Sequence, residues 1–167
     1  MIQVYTGNGK GKTTAALGLA LRASGAGLKV YIGQFVKRGC YSEIKALKKL
    51  NNIKVEQFGM GCFIRRLPTQ KDLLLAKEGL KKIKQLIADR AYDLLILDEI
   101  NVALKLRLLE LSDVLNLIKK TPRKIELILT GRNAHPEIIK IADLVSEIKD
   151  KKHYYRKGLK SRKGIEL

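Results

Sequence analysis

Apolar and polar residues alternate along this chain in two periods, which take turns. Ile2-Gln3-Val4-Tyr5-Thr6 opens it with the two-residue period of a strand. A Gly-rich stretch follows, and then Ala15-Ala16-Leu17-Gly18-Leu19-Ala20, which continues a helix over about 13–24 and stops at Gly25 and Gly27. A second strand is predicted over 28–35, a short helix over about 42–50, and a third strand over 53–58. Gly59-Met60-Gly61 breaks that strand and opens a loop to Pro68. Thr69 then reads as an N-cap, with Asp72 three residues on as an approximate capping box. The long helix behind it runs to about Arg90. Its apolar positions Leu73, Ala76, Leu80, Ile83 and Ile87 are spaced as one buried stripe, with Lys77, Lys81, Lys82 and Lys84 outside it.

Residues 93–97 are continuously apolar after Asp93, the signature of a strand buried on both faces, and they end in Asp98-Glu99. Ser112 is placed to cap a helix to about Lys120, where Thr121-Pro122 ends it. A strand over 125–130, a loop at 131–134, a helix from Pro136 to about Ala142 and a last strand within 143–149 complete the series. Repeated strand–helix units predict one doubly wound α/β domain over residues 1–167. It would be three-layered, with a mostly parallel sheet and ligands at the carboxyl ends of the strands.

Composition narrows this little. The chain is 46% hydrophobic and 30% charged, so it reads as globular. No apolar run approaches the roughly 18 residues of a membrane span. Met1 leads straight into the first strand, so no signal peptide and a cytoplasmic location are expected. Cys40 and Cys62 lack metal-ligand spacing and read as reduced, unpaired thiols. The formal net charge of +18 fits a Lys-rich solvated surface, a nucleic-acid face or a site for polyanionic substrates. The aromatic interleaving that single-strand binders use for base stacking is absent.

The chemistry lies in Gly7-Asn8-Gly9-Lys10-Gly11-Lys12-Thr13-Thr14. Strand, Gly-rich loop, Lys-Thr and helix together form the layout of a phosphate-binding P-loop. The loop amides and helix N-terminus would cradle an anion, Lys12 would reach phosphate oxygens, and Thr13 would bind Mg²⁺. The spacing is unusual. The general pattern has four residues between its glycines, which counts back from Gly11 to Thr6, whereas Gly7 and Gly11 enclose only three. Asp98 and Glu99 are the expected acidic partners for Mg²⁺, one directly and the other through water. Thr130-Gly131-Arg132 ends another strand, where Arg132 would clamp a phosphate. Gln34 ends the second strand and Lys37-Arg38-Gly39 follows it, so these would face the same crevice. His135 reads as a capping or surface residue, and His153 shows no partner. No Ser-His-Asp set and no general base stands out, which suits a reaction whose nucleophile needs no activation.

Several segments now carry a resemblance. They are Thr6-Gly-Asn-Gly-Lys-Gly-Lys-Thr-Thr14, Gln34-Phe-Val-Lys37, Leu97-Asp-Glu-Ile-Asn101, Thr130-Gly-Arg132, Ala142-Asp-Leu-Val-Ser-Glu147, Lys152-His153 and Gly164-Ile-Glu166. In this order they resemble the ATP:corrinoid adenosyltransferases of the cobalamin pathway, a P-loop family with a recombinase-type sheet. The resemblance implies transfer of the 5′-deoxyadenosyl group of ATP to a reduced corrinoid cobalt, with release of inorganic triphosphate. It further implies that ATP lies reversed along the short loop, exposing C5′. Asn8 to Thr14 would bind triphosphate, Thr13 and Glu99 would serve Mg²⁺, and Arg22 would reach the nucleotide. A homodimer and a cobalt-reducing flavoprotein partner are also implied. Where the family reads Gly-x-Gly-Phe-x-Trp against the corrin ring, this chain reads Gly59-Met60-Gly61-Cys62-Phe63-Ile64. Met60, Cys62, Phe63 and Ile64 would then pack on the corrinoid. Family members often carry an N-terminal extension over that site, and here Met1 begins at the first strand. Two other readings stay open: a P-loop ATPase acting on nucleic acid, and a paralogue that binds ATP without corrinoid chemistry.

Overall fold

A computed structural model describes residues 1–39, 41–61 and 67–165. The strands are β1 (Ile2–Thr6), β2 (Val30–Phe35), β3 (Ile53–Phe58), β4 (Leu94–Asp98), β5 (Glu126–Thr130) and β6 (Leu144–Glu147). Helices α1 (Lys12–Gly25), α2 (Ser42–Leu47), α3 (Gln70–Ala88), α4 (Ile100–Lys105), α5 (Leu111–Lys120) and α6 (Pro136–Ile141) connect them. The sheet has six strands in the order β3-β2-β4-β5-β1-β6, and every pairing is parallel.

The two-residue period of the strands builds a core on each face. Tyr31, Leu95, Leu97, Leu127 and Leu129 point to one face, under Ala76, Leu80 and Ile83 of α3 and Val114 and Leu117 of α5. Val30, Ile32, Leu94, Ile96 and Ile128 point to the other, under Ala16, Ala20 and Ala23 of α1 and Leu47 of α2. The central strands are apolar throughout because both faces are covered. Fully burying one Leu or Ile side chain contributes roughly 1.5–3 kcal/mol. Small alanines on α1 bring that helix close to the sheet, which seats its N-terminus beside the strand ends.

The predicted stripe on α3 is as expected: Ala76, Leu80, Ile83 and Ile87 are buried, and Lys77, Lys81, Lys82 and Lys84 are exposed. Its capping box is complete. Thr69 accepts from the Asp72 amide, and the Asp72 carboxylate accepts from the Thr69 amide at 2.8 Å. The expected Ser112 cap gives way to Glu110 at the N-cap of α5, without a side-chain cap bond. Burial of Val114, Leu117 and Ile118 sets that helix's phase, and its first turn begins two residues earlier. Helix α4 was not expected. It has no Ser, Thr, Asn or Asp at its N-cap, because Glu99 occupies that position with φ 61°. His135 caps α6 by accepting from the Glu137 amide. His153 has the same role for a 3₁₀ turn, Tyr154–Lys157, where it accepts from the Tyr155 amide. The two cysteines lie outside the described residues. Among the described residues no helix is long and apolar enough to cross a membrane.

Candidate active site

Four strands deliver their carboxyl ends to one crevice. The register pairs Gln34 with Asp98 across β2 and β4, and Tyr5 with Thr130 across β1 and β5. The segments that follow these residues supply the loop 7–11, Lys37, Glu99 and Arg132.

The loop after β1 is held rather than free. Gly7 has φ 96° and Gly11 φ 124°, both in the region that only glycine enters easily. A Cβ at Gly9 would lie 2.8 Å from the Ile148 carbonyl oxygen and from the Lys149 backbone, so the loop lies tight on the exit of β6. The Gly9 amide donates to the Ile148 carbonyl at 2.7 Å. Thr6 closes the loop from the other side, its hydroxyl accepting from the Ala134 amide at 3.3 Å. The N-cap of α1 is Gly11, with no side-chain cap bond, and no acid sits in the first turn. The contrast with the closed capping box of α3 is direct. Helix α1 leaves its first amides and positive dipole end open to an anion.

Lys12 is buried and folded back, donating at 2.7 Å to both the Gly7 and Gly9 carbonyls. Burial pushes its pKa below the ordinary lysine value. Arg132 and Lys37 push the same way, while Glu99 and Asp98 oppose them. Asn8, Lys10 and Thr14 are exposed around the loop. The Lys10 ammonium donates to the Tyr154 hydroxyl at 2.8 Å and lies over that ring. The segment after β6 thus packs on the P-loop, and a cleft of about 310 Å³ opens between Gly9, Lys10 and residues 149–154.

Asp98 is the hub of the floor. It is fully buried, and both of its oxygens are filled. Oδ1 accepts from the hydroxyls of Thr13 at 2.9 Å and Thr130 at 2.7 Å. Oδ2 accepts from the Gln34 amide at 3.1 Å and the Lys37 ammonium at 2.8 Å. Glu99 is held differently. Its amide donates to the Thr130 hydroxyl at 3.0 Å, and its carboxylate lies 3.7 Å from Lys37. Its left-handed backbone is uncommon for a non-glycine residue and turns the chain from β4 into α4. Gly131 permits this, since a Cβ there would come within 3.3 Å of Glu99 Oε2. Asn101, fully buried in α4, donates to the Gly131 carbonyl at 3.4 Å and ties the two loops.

Burial raises the Glu99 carboxyl above its ordinary value of 4.5; Lys37 opposes this and Asp98 adds to it. The folded protein therefore holds that proton more tightly than the unfolded chain does. Stability falls as pH rises from 4.5 through the raised value and stays lower above it. Glu99→Gln removes this cost. Thermal unfolding of the nucleotide-free variant is expected at a higher temperature than wild type near pH 8, with the gap closing toward pH 4.5. An equal or lower midpoint near pH 8 would refute this account of the carboxyl.

Of the expected site residues, Lys12, Thr13, Asp98 and Glu99 converge. Arg132 is exposed, but close enough to contribute to the charge balance at both Lys12 and Glu99. Arg22 is exposed in the last turn of α1, about 15 Å along the helix from Lys12 at 1.5 Å per residue. Met60 is half-buried beyond β3, and Cys62, Phe63 and Ile64 lie outside the described residues. The sequence places Gln34 and Lys37 at the crevice and Thr130 at a strand end, but it does not show that all three converge on Asp98. Their signal was position alone, each at or just past the end of an apolar strand.

The oxygen set formed by Thr13, Asp98 and Glu99 fits a hard cation, and a cationic group, the Lys37 ammonium, already sits against it. No cluster of three or more His, Cys, Asp or Glu able to hold a metal occurs among the described residues. A Mg²⁺ there would need phosphate and water to complete its shell, as is usual for this ion.

The chain matches, over residues 1–167, the family described as ATP:corrinoid adenosyltransferase BtuR/CobO/CobP. It belongs to that family. It is 36% identical over 169 residues to a corrinoid adenosyltransferase of Pseudomonas aeruginosa, covering 100% of this chain and 83% of that protein. It is 34% identical over 166 residues to one from Escherichia coli strain K12, covering 99% of this chain and 85% of the relative. The corrinoid adenosyltransferase CobA of Salmonella typhimurium is 32% identical over 166 residues, with 99% and 85% covered. Within this adenosyltransferase family the parallel sheet and its C-terminal crevice accord with the predicted α/β architecture.

Proposed function

We propose that this protein transfers the 5′-deoxyadenosyl group of ATP to the reduced cobalt of a corrinoid and releases inorganic triphosphate. The observation that carries the reading is the shortened P-loop beside Asp98 and Glu99, in a chain matched to the family over its whole length. Cobalt in its reduced state supplies an electron pair to C5′, the C5′–O bond breaks, and the triphosphate leaves with that bond's electrons. Such a nucleophile carries no proton to remove, so the site needs no general base. Its work is to hold C5′ open to attack and to stabilise charge on the leaving group.

Lys12 is the central group. It exchanges the Gly7 and Gly9 carbonyls for phosphate oxygens, and the open amides of α1 receive the chain of phosphates. Asn8 and Lys10 to Thr14 line the same cradle, and Arg132 approaches from the loop after β5. Thr13 and Glu99 would hold Mg²⁺, with Asp98 orienting Thr13 from behind. When bound, that ion offsets negative charge on the triphosphate. Met60, with Cys62, Phe63 and Ile64, would face the corrin ring. In this reading the protein works in the cytoplasm as a homodimer, on corrinoid reduced by a flavoprotein.

The test is an anaerobic incubation with Mg·ATP and chemically reduced corrinoid, with the corrinoid product analysed by mass. An adenosylated corrinoid is expected, at a rate indifferent to added DNA or RNA. Unmodified corrinoid, together with ATP hydrolysis stimulated by nucleic acid, would overturn the proposal.

A further inference from the structure

Lys37 stands where a metal ion would. After β2, Val36 takes φ 66°, a left-handed backbone that a β-branched residue rarely adopts. The turn is fixed from beneath: a Cβ at Gly59 would run into the Val36 carbonyl carbon, and would lie 2.6 Å from the Lys37 amide nitrogen. Strain and close approach together aim Lys37 across the strand ends instead of toward solvent. Its Nζ reaches 2.8 Å from Asp98 Oδ2, 3.1 Å from Thr13 Oγ1 and 3.7 Å from Glu99 Oε1. Only 17% of the side chain is exposed. Lysines are seldom this buried unless they are paired, and this one is paired with the residues assigned above to Mg²⁺.

We infer that Lys37 is the resident cation of the metal position: its ammonium neutralises Asp98 and Glu99 in the nucleotide-free protein and gives way when Mg²⁺ arrives with triphosphate. The inference rests on the Mg²⁺ site of the proposed function. A divalent ion and an ammonium repel each other strongly at such separations in a partly buried site. Metal entry therefore requires Lys37 to leave the carboxylates. Metal alone offers the displaced ammonium only water and the Glu43 carboxylate that already acts on it, whereas triphosphate supplies several oxygens. The site thus discriminates against free Mg²⁺ and accepts Mg²⁺ together with nucleotide.

The test uses Mn²⁺ as a paramagnetic stand-in, titrated into the full-length nucleotide-free protein and followed by electron paramagnetic resonance. Wild type and Lys37→Arg are expected to bind weakly, and Lys37→Met at least about tenfold more tightly because no ammonium opposes the ion. Adding ATP should narrow the gap. A Lys37→Met protein that binds Mn²⁺ no better than wild type would overturn the inference. Lys37→Gln, which keeps a donor beside Asp98, serves if the methionine variant fails to fold. Wild type gives an independent reading, since saturation by micromolar Mn²⁺ without nucleotide would also overturn it. If Mn·ATP binding to wild type is absent, or is unmoved by Glu99→Gln, the Mg²⁺ reading itself falls. If both of those hold and the Lys37 neutral variants are unchanged, only the resident-cation inference falls.

Discussion

Lys12→Ala is expected to lower kcat/KM for ATP by roughly 10²–10³-fold, the usual scale for removing a charged stabiliser of a leaving or developing anion. Two observations set this expectation. The ammonium is already inside the loop, 2.7 Å from the Gly7 and Gly9 carbonyls, so it needs only to change acceptors when phosphate arrives. Of the other cations, Lys10 and Arg132 are exposed and Lys37 is held against Asp98 and the Thr13 hydroxyl, so none replaces a charge buried at the loop's centre. The variant also leaves two carbonyls without their donor, at a cost of about 1 kcal/mol each if water does not replace it. The unfolding midpoint should therefore fall by no more than about 4–8 °C while turnover collapses. Lys12→Arg should restore little, because a planar fork does not fit a pocket built around a compact ammonium. Unchanged kinetics in Lys12→Ala would remove the P-loop from the mechanism.

Asp98→Ala is expected to be the most destabilising single change at the site, by about 3–5 kcal/mol in chemical denaturation. Asp98 accepts from Thr13, Thr130, Gln34 and Lys37, so its loss leaves three polar groups without their acceptor and takes from the buried Lys37 ammonium its nearest counter-charge, with only Thr13 at 3.1 Å and Glu99 at 3.7 Å remaining. The large term is the charge on Lys37, left only partly compensated by Glu99 at 3.7 Å, which a double-mutant cycle isolates. Adding Lys37→Met to Asp98→Ala should recover part of the lost stability, because it removes the stranded charge. Strictly additive losses would show that the pair is not coupled and that Asp98 acts mainly through its hydroxyl partners.

The fold was largely legible because its signals were redundant. β1 and β3 were read at their observed limits, since alternation and flanking glycines agreed there. Helix α3 carried a cap, a stripe and a lysine face that all specified one element. Helix α4 escaped notice because six residues make less than two turns, and its N-cap is a strained glutamate instead of a capping residue. The site was legible where a residue type implies its chemistry, as in the P-loop lysine and the acids ending β4. It was not legible where position decides. Nothing local marks Val36 for a positive φ, or Lys37 for a place among the carboxylates. Those follow from Gly59 pressing on the β2–α2 turn, a contact between segments more than twenty residues apart.

The central claim is that ATP is cleaved at C5′ and not at a phosphate. The direct measurement is ³¹P NMR of the reaction with reduced corrinoid, following every phosphorus of ATP to its product. One intact triphosphate per adenosyl group transferred is the predicted result. ADP with orthophosphate, in amounts matching the ATP consumed, would contradict it.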